Sequence, residues 1–121
     1  MASRKNGLPE ELLSQARHQI KMYKKTRNEK HLRKACEKGR RASVQAVFRE
    51  LGRKPRSHRD SLQGFATLGK QRNDEFIMIM GVTADGLHSL SYPSELPVGL
   101  VEGGLKDVER LITLLSRKGK K

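Results

Sequence analysis

The sequence predicts a single all-α domain of four to five helices. Apolar residues return at helical spacing in three long segments, and residues that start or stop helices punctuate those segments. The chain's 121 residues, with 4% aromatics and no tryptophan, bound it to one core made of Leu, Ile, Val, Ala and Met.

The first helix is expected from about Leu8, with Pro9 in its first turn and Glu10 and Glu11 at the positive end of its dipole. Leu12, Leu13, Ala16, Ile20 and Tyr23 form its buried stripe, and Asn28 caps the second helix. That second helix runs from about Glu29 to Leu51, where Gly52 stops it. At about 100° per residue, Leu32, Ala35, Cys36, Gly39, Ala42, Ser43, Ala46 and Val47 share one side, mostly small enough for a neighbouring backbone to come close. Lys30, Lys34, Lys38 and Arg41 lie opposite, with Arg33 and Arg40 at the margins. Val44, Phe48 and Leu51 add an apolar line to the C-terminal half, so the N-terminal half is expected to protrude toward a ligand.

Residues 52–59 form a basic connector in which Pro55 forbids helix. Ser57 caps a short third helix with Asp60 as the capping-box acid. Its packed face is Leu62, Phe65, Ala66 and Leu68, and its end is Gly69. The stretch 73–92 reads two ways: a strand over Phe76–Met80 turning into a second over Leu87–Tyr92, or a buried helix with Phe76, Met80, Thr83 and Leu87 on one face. After a Pro-containing loop, Pro97 opens the last helix, where Val98, Val101, Leu105, Val108, Ile112 and Leu115 repeat on one face.

Charge divides the domain into a basic half, 1–59, a neutral half, 60–116, and a basic tail, 117–121. The formal net charge is +13; residues 1–59 hold 18 Lys/Arg against 5 Asp/Glu, whereas residues 60–121 hold 8 of each. Self-repulsion on that scale points to a polyanionic partner, of which nucleic acid is the commonest. The candidate contacts are Lys21, Lys24, Lys25, Arg27, Lys30, Arg33, Lys34, Lys38, Arg40 and Arg41 around one helical hairpin, with Arg53, Lys54, Arg56, His58 and Arg59 after it. Arg forks onto phosphates and Lys supplies point charge. With so few aromatics to stack bases, backbone and shape recognition of folded RNA fits better than single-strand reading.

Several chemistries are disfavoured. A lone Cys36 excludes a disulfide framework and a Cys-based zinc site, and it reads as a buried structural thiol. His18, His31, His58 and His88 show no helical zinc spacing; the first two read as exposed and His88 as a core histidine. Asp74, Glu75, Glu102, Asp107 and Glu109 read as solvated surface, and no phosphate-cradling glycine loop is present. No catalytic set, cofactor or metal site is expected. Neither a signal peptide nor a membrane span is evident, so the expectation is a cytoplasmic protein.

The run Arg33–Gly52, an alanine-rich helix followed by glycine, resembles the second helix of HEPN-like proteins, particularly small archaeal members. Ser57–Leu62 looks like the Ser-His start of their third helix, and Leu87–Tyr92 with the loop and helix after it is similar to their C-terminal part. The resemblance spans roughly residues 8–116. It implies an up-and-down helical bundle and tips 73–92 to helix. Many HEPN proteins are metal-independent ribonucleases that use an Arg, a polar residue after it, and a His a short gap beyond. Arg72-Asn73 matches the start, but Ile77, Met78 and Ile79 occupy the positions for the His. Arg53 and His58 have suitable spacing in a segment that Pro55 makes a loop. The function expected is therefore RNA binding without catalysis, docked on ribosomal RNA within a ribosomal subunit, with the neutral half open to protein neighbours. The alternatives are a HEPN-like ribonuclease, a helical partner module of a nucleotidyltransferase, and DNA or chromatin binding.

Overall fold

Helices form wherever a cap and an apolar stripe coincide. The computed structural model describes residues 8–90 and 98–119. It contains α1 (Pro9–Thr26), α2 (Glu29–Leu51), α3 (His58–Arg72), α4 (Glu75–Leu90) and α5 (Val98–Gly119), with no strand among the described residues.

The first two helices begin and end where their sequences indicate. Leu8 is extended ahead of Pro9, and Arg27 closes α1 in the left-handed region (φ 59°) with its N–H returned to the Tyr23 carbonyl. The Asn28 side chain accepts the Lys30 N–H at 3.0 Å, and Gly52 (φ 77°) ends α2. Leu12, Leu13, Ala16 and Ile20 are buried, as is the small-residue face of α2.

α3 departs from expectation at its end. It continues past Gly69 to Arg72, and Asn73 (φ 53°) supplies the left-handed cap. Gly69 serves packing instead: a Cβ there would collide with Met78 and stand 3.1 Å from the Asp74 carbonyl, so its absence lets α4 close onto α3. Gly64 likewise makes room for the Phe48 ring. The buried face is accordingly Asp60, Ser61, Gly64, Phe65, Leu68 and Gly69, whereas Ala66 is exposed and Leu62 only half-buried.

The ambiguous stretch is helical through Leu90; Ser91 and Tyr92 lie outside the described residues. Asp74 decides it locally, its Oδ1 accepting the N–H groups of Phe76 at 2.9 Å and Ile77 at 3.3 Å. Ile77, Met80, Ala84 and Leu87 are buried while Ile79 is 59% exposed, a period no strand produces. On α5 every expected position from Val101 to Leu115 is buried, joined by Leu111. The helix carries on through the start of the basic tail to Gly119, and the expected opening by Pro97 lies outside the described residues.

α2 packs against all four other helices. Its N-terminal half does not protrude: Leu32, Ala35 and Cys36 have no exposed surface, and Leu105 of α5 and Leu87 of α4 press onto Gly39. Neighbours on either side of each contact show α1 antiparallel to α2 and α5, and α4 antiparallel to α3 and α5. The step from α2 to α3 breaks the up-and-down order. The connector doubles back so that Arg53 lies over Phe48, and α3 begins beside Arg41 and Val44 and ends beside Glu50. α3 therefore runs in the same sense as α2, and this doubling back opens a cleft between the connector and the middle of α2.

Candidate nucleic-acid interface

None of the fifteen expected contact residues is buried, but they do not form one continuous ridge. Lys25, Arg27, Lys30 and Lys34 gather at the α1–α2 turn, where Asn28 makes the chain reverse. From there Lys30, Lys34 and Arg41 continue as a stripe on the solvent side of α2, about 16 Å long at 1.5 Å per residue. Lys38 is half-buried toward α1, and Arg33 and Arg40 occupy the other margin. Lys21 and Lys24 face away from this stripe, into a groove against α5 that also holds Arg17 and Lys106. There the Lys24 Nζ pairs with Glu102 at 2.8 Å.

Two of the five acids of the basic half hold helices together, and a third pairs within its own helix. Glu10 accepts a two-pronged bond from Arg49 at 3.1 and 3.2 Å, which draws its carboxyl below the usual range. Glu50 pairs with Arg72, and Glu29 with Arg33 at 3.7 Å. Three acids read as mere surface also have structural roles, since Glu109 pairs with Arg17 at 2.7 Å, Glu102 with Lys24, and Asp74 caps α4. Among the described residues, no carboxylate lies within ion-pair distance of Lys25, Arg27, Lys30, Lys34, Lys38, Arg40, Arg41 or Arg59.

The cleft made by the doubled-back connector measures about 500 Å³ and is lined by Arg40, Arg41, Val44, Gln45, Pro55, Arg56, Ser57, His58 and Ser61. Asp60 is the post on which this side is built. Its carboxylate takes Arg53 at 2.8 and 3.1 Å and the Arg56 N–H at 2.9 Å. Ser57 caps the helix by accepting the Asp60 N–H at 3.0 Å. The expected capping box is thus shifted by one residue, the acid reaching the N–H before the cap rather than that of the cap itself. Arg53, foremost, and then the Arg56 N–H hold the Asp60 carboxyl far below the carboxylate range.

These bonds separate the connector's cations into two kinds. Arg53 is committed to Asp60, with its guanidinium stacked 5.0 Å from the centre of the Phe48 ring. The Arg56 side chain touches the same carboxylate only through its Nε at 3.5 Å and is otherwise exposed, as are His58, Arg59 and Lys54. Arg56, His58 and Arg59 crowd the N-terminus of α3, where the helix dipole is already positive, and Asp60 is the only acid in its first turn. Such a place attracts an anion, because the helix dipole and the exposed cations add their positive potentials there. Gln45, Ser57 and Ser61 supply hydrogen-bonding groups on the cleft wall. Sequence reading did not place Gln45 there, although its position one turn beyond Arg41 was the available signal.

Of the other candidates, Cys36 is fully buried, and burial pushes its thiol up to about 11, so it is no thiolate nucleophile. His31 is half-buried with Nδ1 2.8 Å from Gln19 rather than exposed. The His88 side chain lies outside the described residues. Among the described residues there is no His/Cys/Asp/Glu group suited to a metal ion, and no helix is long and apolar enough to cross a membrane. Comparison with protein-family models, with curated proteins and with solved structures finds no match to this chain.

Proposed function

We propose that this protein binds folded RNA without acting on it, through the α1–α2 turn, the α2 stripe and the cleft behind it. The most concrete setting is ribosomal RNA in a cytoplasmic ribosomal subunit, with a HEPN-like helical domain as the scaffold. The carrying observation is the set of unpaired cations, Lys25, Arg27, Lys30, Lys34, Arg41 and Arg59, beside a cleft edged by Arg40, Arg56 and His58. Three of the five carboxylates in the same half, Glu10, Glu29 and Glu50, are paired internally, which leaves Glu11 and Glu37 exposed against its 18 cations. The stripe suits a run of phosphates, and the scarcity of aromatic residues matches a binder of shape and backbone.

The test is binding of a structured RNA, with single-stranded RNA and duplex DNA of equal length as competitors, over a range of salt. Tight binding with a steep salt slope is expected. Reversal of Lys34, Lys38 and Arg41 to Glu is expected to weaken it at least a hundredfold with helicity unchanged. Unaltered affinity in that triple variant overturns the assignment of this surface. In lysate, salt-sensitive co-sedimentation with ribosomal subunits supports the ribosomal setting, and migration at the top of the gradient at every salt overturns it.

One observation favours a second reading. His58 lines the same cleft as Arg40, Arg41 and Arg56, with its Nε2 3.6 Å from Asp85. That places a titratable imidazole beside cations that can bind a phosphodiester, as a metal-independent ribonuclease requires. Cleavage of RNA in chelator, abolished by His58→Ala, supports this second reading, and intact RNA after long incubation removes it.

A further inference from the structure

We propose that the outer face of α4 and α5 is a two-fold contact between two copies of this chain. The proposal does not rest on RNA binding, because none of its residues belongs to the α2 stripe or the connector cleft, although Gly103 and Lys106 also border the groove that holds Lys21 and Lys24. Leu8 apart, the large apolar residues exposed among the described residues all lie on these two helices: Val82 at 74%, Leu100 at 63%, Ile79 at 59% and Met78 at 40%. On α4, Ile79 and Val82 are one turn apart and directed away from the core formed by Ile77, Met80, Ala84 and Leu87, so they stand as a ridge. Beside the ridge runs a groove of about 560 Å³ lined by Thr83, Gly86, Leu87, Leu100, Gly103 and Asp107 among others. A Cβ added at Gly86, Gly99 or Gly103 would meet nothing within 4 Å, so another surface can approach the groove's backbone closely.

Charge identifies the occupant. The whole excess of +13 is contributed by residues 1–59, so two copies repel each other through that half and meet most easily through the neutral one. The groove carries both signs, Lys106 beside Asp107. A two-fold axis sets the Lys106 of one copy against the Asp107 of the other, while each ridge enters the opposite groove. A strongly acidic or strongly basic partner would leave one of those charges facing its like. In such a dimer both basic surfaces face outward and remain available.

Sedimentation equilibrium of the full chain in 0.5 M NaCl, which screens the basic halves, tests this directly. The expected result is reversible association to twice the chain mass at tens of micromolar. Val82→Glu and Leu100→Glu are each expected to weaken association at least tenfold, with unchanged helicity by circular dichroism showing that they fold. Lys34→Glu, on the far side, is expected to leave it unchanged. Lys106→Glu alone weakens association, and adding Asp107→Lys restores it, because the double exchange recreates the opposed pairs. A wild-type protein that stays monomeric to millimolar concentration overturns the proposal, as does a dimer indifferent to Val82→Glu and Leu100→Glu. Failure of the double exchange to restore association overturns the two-fold pairing.

Discussion

The two halves of this chain expose opposite things. The basic half covers its large apolar residues apart from Leu8 and leaves several cations without a carboxylate, with Lys30, Lys34 and Arg41 on the outside of a helix whose inner face is sealed. The second half, whose charges cancel once the basic tail is included, leaves Ile79, Val82 and Leu100 in water. Each exposure is unfavourable for an isolated molecule, through self-repulsion in one case and apolar hydration in the other. Their segregation means that one kind of substitution should have different consequences on the two faces, while a residue between the halves should affect both.

Phe48 is such a residue and gives the largest expected effect. Its ring is 2% exposed and fills the space opened by Gly64, with Arg53 stacked above it. Phe48→Ala is expected to cost about 3–5 kcal/mol of unfolding free energy, measured by denaturant titration. The unfolding should remain a single transition reported alike by tyrosine fluorescence and by helicity. Two separated transitions would show that the halves fold independently, and would break the comparison at its base.

The connector sharpens the comparison next. Arg40→Gln with Arg56→Gln is expected to lower RNA affinity by roughly a hundredfold, about tenfold for each charged contact, with little change in thermal stability. Arg53→Gln is expected to do the reverse: it strips Asp60 of its main partner and lowers the melting temperature, while RNA affinity falls less. Equal losses of affinity from Arg53 and Arg56 would show that the division between a structural and a ligand-facing arginine is wrong.

Asp60 extends that test to pH. Its carboxyl is held well below the normal range, first by Arg53 and then by the Arg56 N–H. A depressed folded-state pKa contributes stability above the unfolded value, about 4, and loses it as pH falls toward the folded value. Wild type is therefore expected to melt higher than Asp60→Asn at pH 7, with the gap narrowing steadily below about pH 4. A gap that stayed constant down to pH 2 would mean that the contribution is steric, not electrostatic.

Much of the fold was legible because its signals are local. Asn28, Gly52 and Ser57 each act within a few residues, and the stripes of α1, α2 and α5 need only their own periodicity. What escaped depends on residues distant in sequence or on competing local signals. Gly69 looked like a helix stop, but its role is to admit Met78 from the next helix. The segment around Phe76–Met80 is apolar at both periods, so Asp74 had to decide it. The basic residues of the site were legible by type, whereas their division was not. Arg53 and Arg56 are equivalent in composition, and only the doubling back of the chain onto Asp60 gives one a two-pronged bond and leaves the other a single 3.5 Å approach and far more exposure.

Gly103→Ala gives the smallest expected effect and bears on the neutral half alone. Alanine favours a helix interior over glycine by up to about 1 kcal/mol, and a Cβ at this position meets nothing within 4 Å. In dilute solution, where the monomer dominates, the substitution should therefore raise stability by about that amount. In concentrated solution the methyl group narrows the groove that receives the ridge of a second copy, so the gain should shrink or change sign. Gly64→Ala is the contrast: its Cβ would enter the Phe48 ring of the same chain, so it should destabilise at every concentration. The concentration dependence separates a glycine kept for a partner from one kept for the core. If Gly103→Ala stabilised the protein equally when dilute and when concentrated, the groove would be ordinary surface, and the exposed residues beside it would need another explanation.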